Sequence, residues 1–168
     1  VQEDGRQASG RLASHHAQIL TEWLAQTLAG YPEPAGRFLA EEKDRFRNPV
    51  GYTLREGLGL LLEQLLGSME AARLRDALEG IVRVRAVQDF GPRQALGFLP
   101  ALKDILRRHA GALGLSEQAL SALEARIDEA LWVAFELYVR CREQIAEVKL
   151  GELRRRYFLA ERAGWLNP

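Results

Sequence analysis

The stretch "LPALKDILRRHAGALG", Leu99–Gly114, frames the reading of the whole chain. At about 100° per residue, Phe98, Leu102, Ile105 and His109 fall on one helical face. Gly111 and Gly114 then offer places to stop. A lone histidine on the apolar face of such a helix has two uses. It can be an axial ligand for a haem iron, which also needs an opposed apolar slot. It can equally sit at a helix C-terminus, where bare carbonyls collect. Residue spacing leaves both open.

Working outward, the punctuation divides the chain into about six helices, and no alternating β-branched run argues for a strand. The first is expected from near Ser9 to Ala29, closed by Gly30. "YPEPAGRFLAEEKDRFR" reads as a turn and a second helix ending near Phe46. "NPVGYTLREGLGLLLEQLLG" carries the clearest start, with Asn48 as cap, Pro49 in the first turn and Gly67 as stop. A fourth helix spans Ser68 or Met69 to about Asp89, and a fifth opens at Gly91–Pro92. Ser116 caps the last, which runs without proline to about Arg162.

That last helix is long. Leu120, Leu123, Ile127, Leu131, Ala134, Tyr138, Cys141, Ile145 and Val148 advance in steps of three and four, so they form one buried stripe. Forty residues of helix span about 60 Å, more than a domain of this size holds. The helix is therefore expected to kink near Gly151 or to project. Its aromatic end, with Tyr157, Phe158, Leu159, Trp165 and Leu166, is expected to fold back on the body or close a dimer.

Composition limits the function classes. The chain's 168 residues fit one domain, 1–168, in which residues 1–10 are expected to be disordered and 151–168 to form a C-terminal extension. Its 23 basic and 23 acidic residues cancel, which points to neither nucleic acid nor an anionic membrane. No apolar run reaches the roughly 18 residues of a membrane helix. A single cysteine, Cys141, rules out an intrachain disulfide and suits a reducing cytoplasm.

Few residues suggest chemistry. His15 and His16 are adjacent and diverge by about 100° on a helix, so they do not clamp one ion. No nucleophile elbow, P-loop or dinucleotide fingerprint is present, and the chain is expected not to be an enzyme. Glu41 and Glu42 lie in a charge run that reads as a solvated helix end. Cys141 reads as a small buried hydrophobe. Gly57 and Gly59 allow either close helix approach or room for an apolar ligand.

"IVRVRAVQDFGPRQALGFLPALKDIL" (81–106), with "WLAQTLAGYP" (23–32) and "NPVGYTLREGLGLLLEQLLG" (48–67), resembles the RsbRD N-terminal domain family, the input modules of RsbT co-antagonists of the stressosome. The resemblance spans about Leu12 to Leu150. It implies an all-α, globin-like bundle that carries no haem, forms dimers and acts as a sensor or regulatory interaction domain. In the full stressosome proteins a STAS output domain follows; with the chain stopping at Pro168, that domain is expected to be absent here.

Beside the resemblance, the residues admit a plain reading. Arg83, Arg85, Gln88 and Asp89 ring a helix end, Gly91–Pro92 makes a sharp turn, and Phe90 and Phe98 help bury the corner. Arg83, Arg85, Gln88, Asp89 and Phe90 are thus either a structural corner or a ligand or partner site. Gly57, Gly59, Phe98 and Leu102 border the space an apolar ligand would take. His109 joins the list only if haem is bound. The expectation is a homodimer, parallel through the first and last helices, with a protein partner and no cofactor. The alternative is a globin-like sensor of haem or a fatty-acid-like ligand.

Overall fold

In the computed structural model the backbone is described for residues 2–162 and side chains for residues 15–162. Expectations on Leu12, Trp165, Leu166 and the side chains of residues 1–10 lie outside the described residues. Seven helical segments follow one another among the described residues: α1 (Gln2–Leu28), α2 (Ala35–Glu41), α3 (Pro49–Leu66), α4 (Ala71–Val87), α5 (Pro92–Leu96), α6 (Phe98–Leu113) and α7 (Glu117–Arg162). Only Gly97 separates α5 from α6, so the two make one bent helix and the bundle has the six-helix plan read from the sequence.

α3 is the central rod. Leu54, Leu58, Leu61, Leu62 and Leu65 recur at three- and four-residue steps and are shut off from solvent. α1 and α4 pack against it, α6 lies on α1, and α7 closes the bundle across α4 and α6. Trp23 of α1 reaches the core and donates from Nε1 to the Phe98 carbonyl at 2.6 Å, which fixes the start of α6.

Caps explain the boundaries. Asn48 Oδ1 accepts from the Gly51 amide at 2.8 Å, the expected cap of α3. Its Nδ2 reaches back to the carbonyls of Leu39 (3.1 Å) and Glu42 (2.8 Å). Those contacts end α2 at Glu41, five residues before the expected Phe46. Asp44 Oδ1 then accepts from the amides of Phe46 and Arg47, a side-chain turn that replaces the last helical turn. Gly114, at φ 65°, closes α6 in the left-handed region that favours glycine. Ser116 Oγ accepts from the Ala119 amide at 3.2 Å and starts α7.

α7 does not kink. It runs through Gly151 for 46 residues, about 69 Å. A single helical glycine costs only about 1 kcal/mol relative to alanine, too little to break the ladder. Leu123, Ile127, Ala130, Ala134, Leu137 and Tyr138 are its buried residues. Val148, Leu150, Leu153, Tyr157, Phe158 and Leu159 are each more than half exposed, so to Arg162 the helix projects and does not fold back.

Candidate functional site

The corner between α4 and α5 is built around Arg85. Only 3% exposed, it faces no carboxylate among the described residues. Its Nε donates to the Ala95 carbonyl (2.9 Å), Nη1 to Thr27 (3.2 Å) and Nη2 to Gln94 (2.7 Å). The guanidinium carbon also stands over two rings, 5.5 Å from Tyr31 and 5.1 Å from Phe90, which meet each other edge to face. Burial lowers the pKa of Arg85 and raises that of the Tyr31 phenol, whose rise the nearby guanidinium partly offsets. The Tyr31 hydroxyl is buried and has no hydrogen-bond geometry to a protein atom; its closeness to Arg85 acts as a field, not as a bond.

The rest of the corner is tied to α7. Asp89 sits at φ 58°, a turn conformation that aspartate tolerates. Its carboxylate takes Arg142 Nη1 at 2.9 Å, and the same nitrogen reaches the Ala86 carbonyl at 3.2 Å. That hydrogen bond, followed by the field of Lys149, lowers the pKa of Asp89. Tyr138 Oη donates to the Phe90 carbonyl at 2.8 Å. The geometry therefore gathers Arg85, Asp89 and Phe90 into one knot. Arg83 lies elsewhere on α4, exposed and paired with Glu79 at 3.1 Å, and Gln88 points to solvent. Sequence reasoning missed Tyr31, Gln94, Tyr138 and Arg142. Gln94, Tyr138 and Arg142 each donate to a backbone carbonyl, and Tyr31 contributes a ring; such contacts leave no mark in a residue pattern, except that Tyr138 lies on the apolar stripe of the last helix.

The interior candidates are packing residues. Phe98 and Leu102 are buried, and the rings of Trp23 and Phe98 lie 6.1 Å apart. A Cβ on Gly57 would stand 2.7 Å from Ile81 Cγ1 and 3.3 Å from the Ala77 carbonyl, so Gly57 lets α3 and α4 approach closely. At Gly59 a Cβ would meet only Leu20 Cδ2, at an ordinary 3.7 Å. His109 Nε2 lies 3.1 Å from Glu22 Oε2 on α1, and Arg108 holds the other oxygen of that carboxylate. An iron on that nitrogen would have to displace Glu22. The hydrogen bonds from His109 and then Arg108 lower the pKa of Glu22.

Open space lies at the surface. A groove of about 500 Å³ runs between α5–α6 and α7, walled by Pro92, Leu96, Pro100, Leu131, Trp132 and Phe135. Trp132 is 66% exposed. A second, of about 510 Å³, lies between α4 and α7 and is floored by Val87, Cys141, Ile145 and Val148. Among the described residues no three His, Cys, Asp or Glu come together as a metal site, and no helix is long and apolar enough to cross a membrane.

Comparison with known proteins agrees with this build. An uncharacterized protein of Archaeoglobus fulgidus is 29% identical over 138 residues, covering 80% of this chain and 82% of that protein. No solved structure gives a significant match. The family model described as the RsbT co-antagonist protein RsbRD N-terminal domain matches residues 17–153, which takes in the second half of α1, all of α2 to α6 and most of α7. The chain therefore belongs to the RsbRD N-terminal domain family.

Proposed function

We propose that this chain is a non-enzymatic regulatory interaction domain that works as a homodimer in the cytoplasm, needs no cofactor and passes its state to a protein partner. One observation carries the reading. The polar groups of the motif are spent on the chain's own backbone and neighbours, as with Arg85 on Ala95, Gln94 and Thr27. Beside scattered residues such as Phe46, Leu60 and Val87, the longest run of uncovered apolar side chains lies along α7, including Trp132, Phe135, Leu150, Leu153 and Tyr157. A fold whose polar corner is structural and whose sticky surface is external is suited to docking, not to turnover.

Family membership supports a regulatory role, and the filled space around Phe98 and Leu102 favours it over an interior haem or fatty-acid-like ligand. Light scattering at tens of micromolar tests the dimer: twice the chain mass is expected, and a monomer would overturn it. An absorption spectrum of protein purified from its host checks the cofactor, since a Soret band would revive the haem reading.

A further inference from the structure

Of the two surface grooves, the one between α5–α6 and α7 is held in shape from beneath. Gly97 makes the bend between α5 and α6; a Cβ there would stand 2.8 Å from the Arg93 carbonyl, so a larger residue would force the bend open. Side-chain donors anchor the carbonyls along this bend. Arg85 takes those of Gln94 (2.7 Å) and Ala95 (2.9 Å), and Trp23 takes that of Phe98 (2.6 Å). On the opposite wall, Trp132 and Phe135 of α7 meet edge to face with ring centres 6.5 Å apart. The walls are in place before anything binds, and a preformed site gives up little order on binding.

The groove is apolar with one exception. Pro92, Pro100, Trp132 and Phe135 give it rigid ring surfaces, and Arg93 is its one charged lining residue among the described residues. The Arg93 side chain is exposed and makes no hydrogen bond, ion pair or ring contact among those residues. The carboxylates of α7 do not neutralise it. Glu129 and Glu136 lie about 100° or more round the helix from Leu131 and Phe135, which face the groove. Asp128 is on the groove side but is held by Lys103 at 2.6 Å. The second groove, between α4 and α7, differs. Arg83 and Lys149 share it with Glu152, and Arg83 is already paired with Glu79, so it selects no sign of charge.

We propose that the groove between α5–α6 and α7 binds a flat aromatic acid, two or three rings bearing one carboxylate or sulfonate. The rings lie against Trp132, Phe135 and the two prolines, and the acidic group meets Arg93. A volume of about 500 Å³ falls within the range of small-molecule sites and suits a ligand of that size. Neutral rings would gain the same apolar burial but leave the Arg93 cation without a partner, which is why the acid is preferred. The site lies at the surface, so it needs none of the interior space that Phe98 and Leu102 fill. It adds a small-molecule input to the regulatory reading above and does not depend on the homodimer.

Two fluorescent probes with the same rings test it: anilinonaphthalene sulfonate, and the neutral phenylnaphthylamine that lacks the acid. Titration of the full chain with the sulfonate is expected to give a saturable rise in probe fluorescence. Arg93→Glu is expected to weaken the sulfonate about tenfold and to change the neutral amine by less than about twofold. Trp132→Ala is expected to weaken both probes about fivefold. Val87→Ser, in the second groove, is expected to alter neither. All three substitutions fall on exposed side chains, and circular dichroism checks that helix content is kept. No saturable binding, or sulfonate binding that survives Arg93→Glu or Trp132→Ala unchanged, would overturn the site. So would a loss of binding in Val87→Ser, which would place the probe in the other groove. An equal loss of both probes in Arg93→Glu would overturn recognition of the acid. Light scattering on the same samples reads the homodimer separately, so a failed titration of an intact dimer overturns the site and leaves that reading standing.

Discussion

The guanidinium of Arg85 donates from Nε to the carbonyl of Ala95 at 2.9 Å, ten residues further along the chain, and so clamps the end of α4 to α5. Arg85→Ala would leave three carbonyls short of a donor in a buried place. At about 1 kcal/mol or more per orphaned acceptor, the loss is expected near 3 kcal/mol. Arg85→Lys is expected to lose about 2 kcal/mol, because an ammonium neither forks to three acceptors nor stacks between the rings of Tyr31 and Phe90. Urea unfolding measures both, and a loss under about 1 kcal/mol for Arg85→Ala would contradict the clamp.

Gly57 and Gly59 lie two residues apart on α3 and should respond in opposite directions. Gly57→Ala forces a methyl to within 2.7 Å of Ile81 Cγ1, and overpacking of that kind costs about 1–3 kcal/mol. Gly59→Ala meets only Leu20 Cδ2 at 3.7 Å, so the gain in helix propensity, up to about 1 kcal/mol, should show as added stability. Thermal melts of the two variants give the comparison directly; equal signs would mean that the close approach of α3 to α4 is wrong.

Asn48→Ala removes the cap of α3 and the donor to Leu39 and Glu42 together. A loss of about 2 kcal/mol is expected from one cap and two short local bonds. Asn48→Asp keeps the acceptor for the Gly51 amide and loses the Nδ2 donor, so its melting temperature should fall between those of the other two proteins.

Acid should loosen the contact between α1 and α6. The pKa of Glu22 is lowered in the fold from its ordinary 4.5, chiefly by the bond to His109. The stabilisation is therefore fully present above about pH 4.5 and is lost as pH falls through the depressed folded value. The carboxylate is 35% exposed, so water screens the pair and the effect stays below about 1 kcal/mol. Comparing the urea midpoints of the parent chain and Glu22→Gln between pH 7 and pH 3 checks the sign. The gap should close on the acid side, and a gap that widens there would refute the assignment.

Much of the fold was legible because it depends on period and punctuation. The Asn48 cap, the Gly67 stop of α3 and the Gly114 stop are local signals that the structure keeps. The end of α2 was not legible, since Asn48 stops that helix from outside it. Nor was the path of α7 past Gly151, because one glycine weakens a helix without ending it. At the site, Arg85 and Asp89 stood out as polar residues at a helix end, while Tyr31 and Arg142 did not, being brought there only by packing of distant helices. His109 is half-buried near the end of α6, and its partner Glu22 lies 87 residues away, out of reach of any spacing rule.

The unbroken run of α7 gives the molecule a lever. Beyond Ala146 it extends sixteen residues to Arg162, about 24 Å of continuous helix. A tilt of about 5° where the helix leaves the body would carry its tip about 2 Å sideways, as far as a side chain moves on changing rotamer. Small rearrangements at the Asp89–Arg142 tie are thereby magnified into displacements at the far end of the rod.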